Sequence, residues 1–293
     1  MTTAVTAMLD LARLMGDLIE DTATSGSNTT IVGTNLSGFP EASVDNAFTR
    51  GTAFVVTTTD GLAPQSEVVA ITGYASTGYG TVTVGGFSGA TVVGAGDTFG
   101  VTKIPRGELY AALNSALRDM GGVPAEDVSL TTAAATRSHT IPAAAKADLR
   151  QVWIAQRTSE PYDWEEQHHW GQRRVSTYDL VWPFQPISGY KIKLVYVAPH
   201  ATLTTPTAVL DDVVPYDYLQ WRAAYHHYRL RLHYPGKDEK RWTGLMNEAA
   251  EYAAQALRKH PVRLPQSTTR LWFTEEQDTG VGASISTADV ATA

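Results

Sequence analysis

Between Val68 and Gly96 the chain carries no Asp, Glu, Lys or Arg. That gap lies within a longer segment, Thr22 to Lys103, rich in Thr, Gly, Val and Ser. β-Branched residues favour the pleated chain, and glycines punctuate it with turns. Five short runs stand out: TTIVGT at 29–34, TAFVVTT at 52–58, EVVAITGYAS at 67–76, GTVTVGGF at 80–87 and DTFGVTKI at 97–104. Each is bounded by Gly, Pro, Asp or Asn, so each is expected to be a strand. Together they predict a small antiparallel barrel or sandwich.

Helical periodicity flanks this module. Val5, Met8, Leu9, Ala12, Met15 and Ile19 recur at three-and-four spacing, which places them on one stripe of a first helix. The same segment holds Asp10, Asp17, Glu20 and Asp21 and lacks a basic leader before an apolar run, so it does not read as a signal peptide. Leu109, Ala112, Leu113, Ala116, Leu117 and Met120 form a second stripe, which Gly121-Gly122 is expected to end. Two helices thus bracket a β module.

A second β-rich region follows, with QVWIAQ at 151–156, STYDLVW at 176–182 and YKIKLVYVAP at 190–199. In the last run Tyr190, Ile192, Leu194 and Tyr196 alternate with Lys191, Lys193, Val195 and Val197, which predicts a strand buried on one face. Pro215 opens a helix striped by Trp221, Ala224, Tyr225, Tyr228 and Leu232; Tyr234-Pro235-Gly236-Lys237 breaks it, and a successor carries Trp242, Leu245, Met246, Ala249, Ala253, Ala256 and Leu257 on one face. A link that short makes an antiparallel hairpin. From Ser267 the chain is small and polar apart from Leu271, Trp272 and Phe273, and it reads as a flexible arm with one sticky element.

The expected fold is therefore α+β: a helical bundle of four helices with an N-terminal small β-barrel or sandwich insertion and a central β-rich region. The boundaries are 1–21 and 105–122 for two bundle helices, 22–104 for the insertion, 123–210 for the β-rich region, 211–264 for the hairpin and 265–293 for the arm. No stretch reaches the roughly 18 uninterrupted apolar residues of a membrane span, so no membrane partner is expected.

Motifs for chemistry mostly fail on spacing. The chain has no cysteine, which excludes disulfides and thiolate metal sites. GGFSGATVVGAGDT is Gly-rich, but no Gly-Lys-Ser/Thr follows, and Gly94, Gly96 and Gly100 do not fit a dinucleotide fingerprint. Ser88, in Gly-Phe-Ser-Gly, is one residue short of a nucleophile elbow and reads as a turn serine. His168-His169, beside Glu165 and Glu166, and His226-His227, beside Arg222, Arg229 and Arg231, are adjacent pairs whose side chains diverge. They do not meet the convergence a metal requires, and the helical pair reads as surface imidazoles on a basic face. Asp211-Asp212 and Glu275-Glu276 are explained by helix-end electrostatics or solvation. No catalytic residue, cofactor or metal is expected. Trp153, Tyr162, Trp164, Trp170, Tyr178, Trp182, Phe184, Tyr190 and Tyr196 crowd one region, which core packing, subunit contact or a ligand platform would each explain.

Charge is unevenly placed. The net charge is −7, which argues against a chain that grips nucleic acid over its whole surface. Residues 1–105 hold three basic groups, Arg13, Arg50 and Lys103, against nine acidic ones, whereas 106–264 hold 19 basic against 17 acidic. The two parts face different surroundings, and an acidic module beside a DNA duplex would repel it and let it slide.

The order of elements resembles the neck and adaptor proteins of the tailed-phage head-to-tail connector. The resemblance is carried by Pro105-Arg106-Gly107-Glu108-Leu109 leading into ALNSALRDMGG, by TSEPYDWEEQHHW at 158–170, by KIKLVYVAPHATL at 191–203, by VPYDYLQWRAAYHHYRLRL at 214–232, and by the helix ending at Arg258-Lys259-His260-Pro261. It covers 105–264 best. Such proteins form rings, commonly of about twelve subunits, below the portal, with bundled helices and a C-terminal arm on the portal. The resemblance implies bundle helices near 4–20, 107–120, 215–233 and 238–259, and gives Leu271, Trp272 and Phe273 the anchor's place. It implies a virion structural protein that docks tail to capsid and seals the DNA conduit. Its partners would be the portal protein, other neck or tail proteins, further copies of itself, and DNA passing through the lumen without sequence-specific binding. A tail-terminator, tail-tube or baseplate component is the neighbouring alternative. A glycan-binding or glycan-cleaving virion protein is the alternative of another class, and cleavage there would want two opposed carboxylates.

Overall fold

The computed structural model describes residues 2–62, 64–134, 136–174, 178–182, 186–233 and 238–268. The chain divides into two compact units. The described residues of the first fall within 2–121 and 200–262, and those of the second within 122–199 and 263–268.

The first unit opens with α1 (Ala4–Leu14), capped where the Thr3 hydroxyl accepts the Thr6 N–H. The helix stops near Gly16, whose φ of 68° belongs to a glycine. The expectation of a helix reaching residue 20 is thereby corrected: from Leu18 the chain is strand. Six strands follow or interleave with loops, β1 (Leu18–Ser27), β2 (Thr30–Gly33), β3 (Thr52–Thr57), β4 (Val68–Ala75), β5 (Thr81–Val84) and β6 (Thr98–Thr102). They close as a barrel in the order β1-β2-β5-β4-β3-β6.

β1 closes the ring because it is long enough to serve two neighbours. Its first half, Leu18–Thr22, pairs antiparallel with β6, and its second half, from Ala23 to Ser27, pairs with β2 across a bulge between Ala23 and Ser25. A bulge sharpens the local bend and twist, which lets one strand turn from one neighbour to the other. Alternating residues fill the interior, including Ile31, Ala53, Val55, Ile71, Val82, Val84, Phe99 and Val101. β3 is buried on both faces, since Thr52 and Phe54 are also inaccessible. Just before β3, Gly51 sits where an added Cβ would meet the Thr102 carbonyl oxygen at 2.0 Å, so only glycine allows that approach.

The unit is completed by α2 (Arg106–Met120), α3 (Tyr216–Leu232) and α4 (Glu239–Lys259). α2 begins after Pro105 and ends at Gly121, φ 91°. The Asp238 carboxylate caps α4 by accepting the Arg241 N–H at 3.1 Å. α3 is the hub, packing against α4, α2 and α1. The Gln220 side-chain amide donates to the Ala7 carbonyl at 3.1 Å, and the Tyr216 hydroxyl to Asp10 at 2.6 Å. The Trp221 and Tyr252 rings lie 4.6 Å apart, joining α3 to α4.

Among the described residues, the regular structure of the second unit is strand apart from one turn of 3-10 helix: β7 (Gly122–Thr131), β8 (Ser138–Thr140), β9 (Leu149–Ala155), β10 (Trp164–Gln167), β11 (Gly171–Arg174), β12 (Tyr178–Val181) and β13 (Lys191–Pro199). They form a four-stranded sheet, β10-β9-β13-β7, and a three-stranded one, β11-β12-β8. Its core unites Leu149, Val152, Trp170, Leu180, Trp182, Ile192 and Leu194. On β13 the alternation holds at Ile192, Leu194 and Tyr196, but Val195 is buried too, beside a register shift between Val195 and Tyr196.

The expected helical bundle with a small β insertion is overturned. Among the described residues there are four α-helices, but a closed six-stranded barrel and two further sheets dominate the N-terminal and central regions. Counting apolar stripes favoured helices because each stripe is conspicuous. It undervalued a segment that can satisfy all its strand pairing internally once the sheet closes.

Candidate functional site

The richest polar constellation of the first unit lies where α3 meets α2. Near the C-terminal end of α2, Asp119 Oδ2 accepts from Arg222 Nε at 2.7 Å and lies 2.8 Å from His226 Nε2. Burial pushes the Asp119 carboxyl up, but these two partners outweigh it and leave it below its ordinary value. Burial pushes the His226 imidazole down, against the pull of Asp119. At the very next residue, His227, Nε2 accepts from Arg231 Nε at 3.3 Å, and Nδ1 lies 4.0 Å from Glu108 Oε2. The same Glu108 oxygen is 3.4 Å from Arg231. Accepting at Nε2 assigns the ring proton to Nδ1, toward the carboxylate.

His227 is only 5% exposed. Burial, with the Arg231 charge adding to it, brings its pKa down to about 4, so the ring is neutral near pH 7. The expectation of two surface imidazoles on a basic face is corrected for His227. α3 is covered on several sides, so its charge-rich sequence does not leave a fully solvated face.

Beside this constellation is a cleft of about 330 Å³, lined by the end of α1, the residues after β6, α3 and α4. Lys103, Arg231 and Arg241 supply cations to its lining, and Ile104, Trp242 and Leu245 supply apolar surface. Its carboxylate, Asp17, is engaged: Oδ2 accepts both the Thr102 hydroxyl and the Lys103 N–H. Lys103 and Arg241 are exposed. Such a lining suits a ligand that offers an apolar or aromatic body next to carboxylates or another anionic group. Sequence reasoning missed this cleft, because Asp17, Lys103, His227 and Arg241 are far apart along the chain and no spacing links them.

α4 offers a second surface. Of its 21 residues only Ala249 and Ala253 are fully buried. Trp242, Leu245, Met246 and Leu257 are half-covered, and Tyr252 is 41% exposed.

The other sequence candidates are distributed as follows. Ser88 lies in a 3-10 turn, where its N–H donates to Glu67 Oε2 at 3.0 Å and its hydroxyl to Oε1. The carboxylate locks the turn. Glu165 and Glu166 are consecutive on β10 and so face opposite sides of the sheet, and His168 and His169 are exposed. Among the described residues no group of three His, Asp or Glu is placed to hold a metal ion. The aromatic cluster divides: Trp170 and Trp182 are core, whereas Trp153 and Trp164 flank Lys193, whose Nζ is 5.1 and 5.2 Å from their ring centroids. Leu271, Trp272, Phe273 and Phe184 lie outside the described residues. Among the described residues no helix is long and apolar enough to cross a membrane. The chain matches no protein-family model and no curated protein.

Proposed function

We propose that the chain is a structural subunit of the head-to-tail connector of a tailed phage, assembling as a ring between portal and tail, docking the tail to the capsid and sealing the DNA conduit. The observation that carries this reading is the half-covered apolar face of α4. A helix of this length, with two alanines as its only fully buried residues, leaves large side chains with unfilled contact area. A partner subunit is the usual cover for such a seam. The seam repeats identically on every copy, so contact with a different face of the next subunit would generate a ring if the rotation closes.

Two further features support it. The sequence through residue 105, which includes the barrel, holds nine acidic and three basic groups, a balance that suits a wall beside sliding DNA. Ser88, the candidate nucleophile, is held by Glu67, and His227, weighed as a metal ligand, is packed against α3's neighbours, contacts that accord with a structural role.

Native mass spectrometry with negative-stain imaging of the purified protein, alone and with portal protein added, tests the reading. Closed rings under either condition are the expected result. A monomer that stays monomeric and unbound with the portal present would sink it.

A further inference from the structure

The stretch after the last described residue has a composition that answers the cleft's. Leu271, Trp272 and Phe273 are followed at once by Thr274, Glu275, Glu276, Gln277 and Asp278, an aromatic anchor with three carboxylates behind it. The cleft has the matching halves in reverse sign: Trp242, Leu245 and Ile104 for the aromatic part, and the exposed Lys103 and Arg241 for the acidic part, with Arg231 in the lining already paired to Glu108. At about 330 Å³ it is at the small end of ligand pockets, which run from about 300 Å³ upward, and of a size for one aromatic side chain with its neighbour. Aromatic side chains seated in well-packed pockets are enriched among the energetic centres of interfaces.

The point of departure of this stretch is fixed. The Thr268 N–H donates to the Arg150 carbonyl at 3.0 Å, and its hydroxyl accepts from Trp170 Nε1 at 3.2 Å. From Thr268 an extended chain reaches at most about 35 Å by Asp278.

We propose that the cleft formed by Lys103, Arg231, Arg241, Trp242 and Leu245 receives the segment Leu271–Asp278 of a second copy of the chain. The resemblance gives the aromatic triad to the portal; its chemistry matches a surface that every copy already carries. Tail of one copy into cleft of the next is a heterologous contact, the kind that propagates around a ring. The inference deepens the ring reading and rests on it for the second copy.

The test uses the full chain with Phe273 replaced by the photo-crosslinking residue benzoylphenylalanine. Light and heavy isotope-labelled copies are mixed, irradiated and digested. The expected products join the tail peptide to the peptides bearing Lys103 or Trp242–Leu245, and they link light to heavy copies. Lys103→Glu with Arg241→Glu lowers their yield about tenfold, as expected for loss of about 1.4 kcal/mol, and Glu275→Lys with Glu276→Lys in that background restores it. Products within one copy, products at other surfaces, products only on added portal, indifference to charge reversal, or no products would each overturn the inference. If rings still form in any of those cases, the tail assignment alone falls and the ring reading stands.

Discussion

The barrel of the first unit and the sheets of the second solve the same problem in opposite ways. Both must satisfy strand N–H and C=O groups without inviting another chain to pair. The barrel does so by closure, with β1 meeting β6, and a closed sheet has no edge to defend. It can therefore include a 29-residue stretch without one formal charge, from Val68 to Gly96. The second unit has edges at β10 and β7 in one sheet and at β11 and β8 in the other, and its edge strands are marked accordingly. Pro124, Glu126 and Asp127 lie on β7, and Glu165 and Glu166 on β10; proline and charge are what edges tolerate and neighbours avoid. The cores differ too. Aliphatic residues with Phe48, Tyr74, Phe87 and Phe99 fill the barrel's core, while Trp170 and Trp182 carry much of the second core.

Removal of the largest buried rings probes both solutions at once. Phe99→Ala and Trp170→Ala are each expected to cost about 3–5 kcal/mol, read by urea unfolding. Both side chains are completely buried, so a loss below about 1 kcal/mol at either site would show that its core is not packed as described.

Acid separates the regions next. The barrel sequence contains no histidine, whereas α3 holds His227 at a pKa of about 4 and the second unit holds His139, lowered by burial. A histidine buried neutral binds fewer protons folded than unfolded between its two pKa values. Stability therefore rises with pH across that window and is lost as pH falls from about 6.5 toward 4. The His227 contribution to that loss is about 3 kcal/mol, absent above pH 7. Hydrogen exchange is expected to show α3 amides losing protection over this range before those of β3 and β6, with His227→Gln flattening the dependence.

Asp97 is the barrel's own exception, a buried carboxylate that accepts from the Thr59 N–H at 2.8 Å and the Gly94 N–H at 2.7 Å. Asp97→Ala orphans both donors and is expected to cost about 1–3 kcal/mol by thermal or urea unfolding. The smallest effect is on the open sheet. Replacing Glu165 and Glu166 by Thr is expected to change stability by less than about 0.5 kcal/mol, yet to raise aggregation in light scattering, because β10 is an edge. Thr83→Val, on an exposed position of β5 inside the closed barrel, is expected to leave solubility unchanged.

Much of this architecture is legible in the chain. The runs around β2 to β6, β9, β12 and β13 announce themselves by β-branched residues and flanking turns, and the stripes of α1, α2, α3 and α4 announce theirs by spacing. The strands β7, β8, β10 and β11 do not, and two further features are hidden for reasons of partnership. β1, LIEDTATSGS, carries two carboxylates and no clean alternation, and its pairing with Thr98–Thr102 spans some 80 residues. Its identity as the closing strand depends on partners that local pattern does not contain. His227 sits in a segment that reads as basic and solvated, and only the packing of α1, α2 and α4 around α3 buries it.

Short-range chemistry thus determined most of the strands, turns and helices, because propensity, caps and glycine conformations act over a few residues. Closure of the barrel, the neutral state of His227 and the cleft lined by Lys103, Arg231 and Arg241 were decided by tertiary structure alone. Each depends on groups distant in sequence meeting where solvent is partly or wholly excluded, and desolvation acts on what surrounds a residue in space.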